Sequence, residues 1–195
     1  MGSFPNTDFP RNYGPIVAGP ATLNGGLLEL LGLISNTFTT DLPMVKGWVM
    51  YRQFTVDADT YISSVVWSTG TNIPTGVVTA EVGIYNENGT RLATTGTVTM
   101  ATPASQQSSA FTSAVTLKPG CYYIGWVNRD WTSGGGAGIA PFRGTAALNA
   151  NKHRAMGNFE QFIGASTALP ATATFAVMST NATVGLPIIV LLGRN

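Results

Sequence analysis

The strongest strand pattern of the sequence is Cys121-Tyr122-Tyr123-Ile124-Gly125-Trp126-Val127-Asn128, which follows directly on the turn Lys118-Pro119-Gly120. Aromatic and β-branched residues of this kind are typical of a β-strand, and proline and glycine mark the turn before it. Similar stretches occur at residues 48–56, 61–68, 78–85, 91–93, 97–100, 110–117, 172–178 and 186–192. About eight strands separated by glycine, proline and asparagine turns predict an all-β fold, an antiparallel, jelly-roll-like β-sandwich.

The stretch 78–85 shows which face of a strand is buried. Its apolar residues Ala80, Val82 and Ile84 alternate with polar residues and glycine. A period of two predicts a half-buried strand with these three side chains in the core. The tight turn that follows ends at Gly89, which we expect to adopt a positive φ.

Two stretches lack a strand pattern. Residues 101–109 are polar and predict a loop, and residues 141–170 look irregular, with room for a short helix. The final stretch 186–192 is apolar on both faces, so we expect it to lie between two layers or between subunits. Ile188 and Val190 are therefore candidate assembly contacts.

Residues 1–45 differ from the sandwich domain, which we assign to residues 46–195. Proline removes a backbone donor and fixes φ, so this stretch predicts an extended N-terminal arm rather than an interior strand. The prolines of this arm are Pro5, Pro10, Pro15, Pro20 and Pro43. An apolar island at 27–34 interrupts the arm, and Asn24 is placed to cap a short helix there.

The leucines of this island must be buried. One interpretation is that they cover an open end of the sandwich, and the other is that they dock on a neighbouring subunit; both stay open. The candidate contact residues are Leu27, Leu28, Leu30 and Leu31.

Charged residues form only 10% of the 195-residue chain, and the net charge is +1. Typical soluble domains contain about 25% charged residues. A net charge this close to zero predicts neither a nucleic-acid partner nor an anionic membrane partner. A surface short of charge must be neutral and polar, or apolar and shared with other subunits. We expect a homo-oligomer that shares a neutral and apolar exterior.

Cysteine and signal patterns set further expectations. A single cysteine, Cys121, excludes an internal disulfide and a cysteine-based zinc site. The N-terminus has no basic stretch followed by an apolar run, so we expect no signal peptide, and no apolar segment reaches the ~18 residues of a membrane helix.

No pattern for catalysis, cofactor or metal emerges. His153 is the only histidine and lies among Arg143, Lys152 and Arg154, a cluster that we interpret first as a solvated loop and second as a subunit contact. We interpret Asp57 and Asp59 as turn formers rather than an acid pair or a calcium site, and Cys121 as a small buried hydrophobe. We therefore expect a protein without enzymatic activity.

Tryptophan is the remaining candidate for recognition. Trp67, Trp126 and Trp131 have ring faces that can stack on a sugar, but Trp126 lies inside a strand and predicts core packing. Trp131 sits in a glycine-rich loop. We predict that Arg129, Asp130 and Trp131 form an exposed contact for a protein or a glycan.

Three segments carry a family resemblance: 54–62 (FTVDADTYI), 83–93 (GIYNENGTRLA) and 117–126 (LKPGCYYIGW). Together they resemble the jelly-roll or carbohydrate-binding-like domains of bacteriophage tail fibres, receptor-binding proteins and capsid decoration proteins. The resemblance spans residues 47–128 and implies a location in the virion, after synthesis in the bacterial host cytoplasm.

The resemblance also sets the expected function. It implies a structural virion protein of capsid decoration, cement or fibre type, with a homotrimer favoured and other virion proteins, such as a major capsid protein, as partners. It transfers no catalytic residues. The alternative that it implies is a glycan- or receptor-binding module of a tail fibre or secreted protein, with a host surface glycan as ligand.

Overall fold

The structure of the chain is a computed structural model that describes residues 27–29, 40–42, 48–68, 79–99, 106–129, 142–144, 158–163, 168–177 and 189–194. The elements in these ranges are all strands. They are β1 (Leu27–Glu29), β2 (Thr40–Leu42), β3 (Trp48–Val56), β4 (Thr60–Ser68), β5 (Thr79–Asn86), β6 (Arg91–Thr94), β7 (Val98–Thr99), β8 (Gln106–Leu117), β9 (Gly120–Asn128), β10 (Phe142–Gly144), β11 (Asn158–Phe162), β12 (Ala176–Val177) and β13 (Ile189–Arg194).

The strands form two main sheets in which every pair is antiparallel. The smaller sheet has the order β1-β13-β4-β8, and the larger has the order β12-β11-β3-β9-β5-β6, with β7 also paired to β5. β10 and β2 form a separate two-stranded ribbon. The predicted all-β, antiparallel β-sandwich is confirmed. The described residues include no helix long and apolar enough to cross a membrane.

Two connections, β3 to β4 and β8 to β9, carry the chain from one sheet to the other. β3 pairs with β9 in the larger sheet, and β4 pairs with β8 in the smaller sheet. The chain therefore crosses between the sheets at two adjacent turns, as in a jelly-roll-like fold. At these turns the exposed Lys118 Nζ contacts Asp59 Oδ2 at 2.5 Å, so Asp59 serves in a turn, as interpreted from the sequence.

The core lies between the two main sheets. Ala80, Val82 and Ile84 of β5 belong to it, as predicted. The prediction that β5 is half-buried is wrong, because Glu81 and Tyr85 on its other face are buried as well. A second cluster covers that outer face. Its buried members are Val49, Tyr51, Tyr85, Val127, Leu169 and Ala173.

Two glycines make room for this second cluster. Gly83 and Gly125 lie opposite each other on β5 and β9. A Cβ atom at Gly125 would lie 2.9 Å from ring atoms of both Tyr51 and Tyr85. The two tyrosine rings meet edge to face with their centroids 5.3 Å apart. The missing side chains thus let the two rings pack close to the backbone of the larger sheet.

The N-terminal island was predicted as a helix, and that prediction is wrong for residues 27–29. They form β1, in which Leu27 pairs with Leu192 and Glu29 pairs with Val190 of β13. The edge of β13 offers backbone partners to this segment, and such tertiary pairing overrides the helix propensity of leucine. Residues 40–42 of the arm also form a strand, β2, which pairs with β10, and the remaining arm residues lie outside the described ranges.

Other element predictions need correction. The predicted loop 101–109 contains the start of β8 at Gln106, and the region 141–170 contains the strands β10 and β11 where a helix was considered. Of the described residues 172–177, only Ala176–Val177 form a strand. Each of these errors concerns a polar or short strand, whose partner on the neighbouring strand rather than its own pattern decides its conformation.

Candidate functional site

The outer face of the larger sheet is crossed by residues 168–177, which we call the outer segment. Its backbone is tied down along its length: Ala173 N donates to Gly89 O at 2.7 Å, and Arg91 N donates to Ala171 O at 3.0 Å. The hydroxyl of Tyr85 donates to Pro170 O at 2.9 Å. These bonds hold the outer segment against β5 and β6 although it is far away in sequence.

A buried carboxylate anchors one end of the outer segment. Glu81 is only 3% exposed. Its oxygens accept hydrogen bonds from Thr94 Oγ1 at 2.6 Å and from Leu169 N at 3.0 Å. Arg129 lies 3.1 Å and Arg91 3.6 Å from the carboxylate. Burying a charge is costly unless its lone pairs are satisfied, and here several donors converge on it.

The other end of the outer segment builds an aromatic patch, which we define as Tyr123, Phe159, Ile163 and Phe175. All four side chains are half-buried and pack on the second cluster. Phe175 stacks on Tyr123 with a centroid distance of 3.9 Å, and Phe159 meets Tyr123 edge to face at 5.6 Å. The Tyr51 ring meets Phe175 edge to face, with the ring centroids 5.1 Å apart. Clustered aromatic area of this kind is enriched in binding surfaces.

Amide side chains border the aromatic patch. Gln161 Oε1 accepts hydrogen bonds from Tyr51 Oη at 2.8 Å and from Thr174 N at 2.9 Å. Gln53 Nε2 donates to Cys121 Sγ at 2.7 Å and lies 3.4 Å from the Tyr123 hydroxyl. The patch therefore has an apolar centre and a polar rim, which is the usual anatomy of a contact surface.

Cys121 belongs to this rim and is half-buried. Burial raises the pKa of its thiol, the hydrogen bond from Gln53 lowers it in part, and the charge of Glu87 raises it further. Because the thiolate is the reactive form, a raised pKa keeps the side chain in its inert state.

We expect iodoacetamide to modify Cys121 in the folded protein about tenfold more slowly at pH 8 than in the unfolded chain. The rate should still increase above pH 9, because the folded pKa lies above the ordinary value of 9.0. Mass spectrometry of timed samples measures both rates, with the urea-unfolded chain as control. Equal rates in the two states would contradict the shift.

Only part of the contact predicted around Trp131 lies among the described residues. Arg129 is described, and its guanidinium binds Glu81 rather than pointing to an open loop. Asp130 and Trp131 lie outside the described residues. Trp126 is in the core as predicted, but Trp67 is also only 1% exposed, so it is not available to stack on a sugar.

Three of the six predicted assembly contacts lie in strands of the smaller sheet. Leu27 and Leu28 belong to β1, where they pair by register with Leu192 and Leu191 of β13. Val190 pairs by register with Val66 of β4. The side chains of these contact residues, and all of Leu30, Leu31 and Ile188, lie outside the described part of the chain.

The aromatic patch itself was missed by the sequence analysis. Tyr123 was recognised as part of a strand, whereas Phe159 lay in the region interpreted as irregular and Phe175 in a strand prediction. The only available signal was that Tyr123 and Gly125 point to the same face of a strand whose other face is apolar. Nothing in the pattern indicated which residues would join them.

No protein-family model matches the sequence, and no curated protein matches it. In the described ranges, no three His, Cys, Asp or Glu side chains come together in a group that could hold a metal ion. The candidate site therefore rests on geometry: a half-buried aromatic centre, two amides at its rim, and a charged anchor that holds the outer segment in place.

Proposed function

We propose that the chain is a structural protein of a virion, of capsid decoration or fibre type, that works by assembly through the aromatic patch. A homo-oligomer is favoured, with a trimer as the first expectation and other virion proteins as further partners. The observation that carries the proposal is the distribution of charge over the described surface.

Half of the charged side chains in the described ranges are buried or half-buried. Arg52 and Glu81 are buried, and Arg91 and Arg129 are half-buried against Glu81. The charged side chains that are exposed in the described ranges are Asp57, Asp59, Glu87 and Lys118. Since Lys118 neutralises Asp59, little charge is left on the described surface to keep copies of the chain apart.

The rest of the described exterior is neutral and polar. β8, at the edge of the smaller sheet, has 12 residues without a charge, and its exposed residues are serine, threonine and alanine. Leu92 is the one large hydrophobic side chain that is exposed in the described ranges, at 37%. Other large apolar side chains in the described ranges are half-buried or buried, and among the half-buried ones the aromatic patch brings several rings into direct contact.

We expect Phe159→Ala to dissociate the oligomer while the fold is kept. Truncating an aromatic side chain at the centre of an interface costs about 2 kcal/mol or more, a loss of about 30-fold in affinity. Phe159 is chosen because it lies beside the stacked pair of Tyr123 and Phe175 and its loss leaves that stack in place. Size-exclusion chromatography with light scattering measures the mass, and circular dichroism checks the fold.

Leu92→Ala is the matched control for this experiment, because Leu92 is an exposed large hydrophobic residue outside the aromatic patch. It should leave the oligomeric mass unchanged. A wild-type chain that remains monomeric at high concentration, alone and with capsid or fibre proteins of its particle, would refute the proposal.

The alternative function is glycan binding by the same patch, and the amide rim favours it. Sugars pack their apolar faces on aromatic rings, and their hydroxyl groups pair with amides such as those of Gln53 and Gln161. A glycan array probed with wild type and Phe159→Ala separates the two functions. Binding that the variant loses supports the alternative, whereas a wild type that binds no glycan removes it.

A further inference from the structure

The turn between β5 and β6 contains the pair Asn88-Gly89, and an Asn-Gly pair occurs at one other place in the sequence, at 24–25. Asparagine is chemically labile in proteins. In such a pair the backbone nitrogen of the glycine attacks the side-chain amide, and glycine has no Cβ to shield its nitrogen. Asn88 is exposed, so ammonia can leave and water can enter. The chemistry of the pair is therefore that of spontaneous deamidation.

The reaction begins when Gly89 N bonds to Asn88 Cγ and the bond from Cγ to Nδ2 breaks. The hydrogen of Gly89 N leaves with the amide nitrogen as ammonia, and a cyclic imide remains. Water then opens the imide at either of its carbonyl groups. One opening leaves an aspartate, and the other leaves an isoaspartate, in which the main chain runs through the side chain. The reaction consumes only water.

The folded turn opposes ring closure. Asn86 N donates to Thr90 O and Gly89 N donates to Asn86 O, both at 3.0 Å, and Gly89 has a φ of 81°. This is the pattern of a type I turn followed by a glycine bulge, in which ψ at the position of Asn88 is about 0°. At that angle Asn88 N, rather than Asn88 Cβ, eclipses Gly89 N. Ring closure therefore requires that the turn opens and that Gly89 N loses its hydrogen bond.

The outer segment keeps this turn closed. Ala173 N donates to Gly89 O at 2.7 Å, and Thr172 forms an antiparallel β-bridge with Thr90. A Cβ atom added at Gly89 would collide with the carbonyl oxygen of Ala173, so the outer segment fills the space beside the glycine backbone. The peptide group of Gly89 cannot turn towards the Asn88 side chain while the outer segment is in place.

The products cannot restore the original contacts. In the isoaspartate the main chain between positions 88 and 89 is longer by the Cβ atom, so Gly89 O no longer meets Ala173 N. Both products place a new carboxylate next to the exposed Glu87, and they add one negative charge to a chain whose formal net charge is +1. A deamidated chain therefore holds the outer segment less firmly, and with it the ring of Phe175 on Tyr123.

We propose that Asn88-Gly89 is a deamidation site controlled by the outer segment. The reaction is blocked while the outer segment is docked, it proceeds when the segment lifts, and it leaves a product on which the segment no longer docks fully. The fold thus contains a one-way chemical switch. This inference is independent of the proposed assembly function, because both the reaction and its products are observed within a single chain.

Peptide mapping by mass spectrometry, with chromatographic separation of aspartate from isoaspartate, follows Asn88 over time at pH 8. The wild type should react at least about tenfold more slowly when folded than when unfolded in urea, because the reaction waits for a local opening. Tyr85→Phe removes the hydroxyl that donates to Pro170 O and should accelerate the folded reaction about 5-fold, the effect of one lost hydrogen bond. Glu81→Gln weakens the bond from Leu169 N and is the second variant, with the same direction expected.

Gly96→Ala is the matched control, because it strains the backbone at a residue where an added Cβ contacts Thr112 of β8 and not the outer segment. It should leave the rate at Asn88 unchanged, and the pair 24–25 is an internal reference that should react equally in the wild type and Tyr85→Phe. The proposal is overturned if folded and unfolded wild type react equally fast or not at all. It is also overturned if Gly96→Ala accelerates the reaction as much as Tyr85→Phe at equal loss of stability. The first comparison uses the wild type alone, so it decides even if neither variant folds.

Discussion

Glu81→Gln is expected to lower the free energy of unfolding by about 3 kcal/mol, because removing one partner of a buried ion pair leaves the others uncompensated. Two arginines, Arg91 and Arg129, would lose their counter-charge while they remain about three-quarters buried. Their partial exposure lets water solvate them in part, which places the effect at the lower end of the range for buried pairs. Urea unfolding followed by tryptophan fluorescence measures the change, since Trp67 and Trp126 are both in the core.

Glu87→Gln is the control for this substitution. It makes the same chemical change at an exposed residue in the turn after β5, and its effect should stay within about 0.5 kcal/mol. If both substitutions lowered the free energy of unfolding equally, Glu81 would affect stability only through the net charge of the protein. Hydrogen exchange at the amide of Leu169, which donates to Glu81, should become faster in Glu81→Gln.

Gly89→Ala is expected to cost about 3 kcal/mol, from a strained backbone and a steric collision that add to each other. Gly89 has a φ of 81°, a left-handed conformation that residues with a Cβ rarely adopt. A Cβ atom there would lie 2.4 Å from the carbonyl oxygen of Ala173. The outer segment would have to move away, which would break the hydrogen bond from Ala173 N to Gly89 O.

The two contributions can be separated with Gly96→Ala. Gly96 also has a positive φ, 64°, but the nearest atom to an added Cβ is Thr112 Cγ2 at an ordinary 3.6 Å. Its substitution should cost only the conformational energy of about 1–2 kcal/mol. Urea unfolding of both variants gives the difference, which measures how firmly the outer segment is held. A Gly89→Ala variant that is no less stable than Gly96→Ala would contradict the contact.

Glu81→Gln and Gly89→Ala also test the proposed function, because neither residue belongs to the aromatic patch. Glu81 and Gly89 hold the outer segment, and the outer segment carries Phe175 to its place on Tyr123. A chain with a loosened outer segment should therefore assemble less well than the wild type under conditions where it is still folded. The proposed assembly is thereby linked to stability through the position of the Phe175 ring.

The sequence was informative wherever a strand is buried on one face or bounded by strong turn residues. β3 was predicted with its observed bounds of Trp48–Val56, and β9 begins one residue before its prediction. The positive φ of Gly89 was predicted from its place in a tight turn and is confirmed. Predictions failed at β1 and β11, whose conformation depends on the partner strand.

The all-β class, the turns before β4 and β9 and the inward face of β5 were predictable from the sequence, because period-two alternation and turn residues act over a few neighbouring positions. The cover of Glu81 by Leu169, 88 residues away, and the hydrogen bond of Tyr51 to Gln161, 110 residues away, became visible only in the folded chain. Folding likewise placed Phe175 on Tyr123 and enclosed Arg52 between two sheets. Such contacts depend on which surfaces remain to be covered once the strands have paired, and no local pattern carries that information.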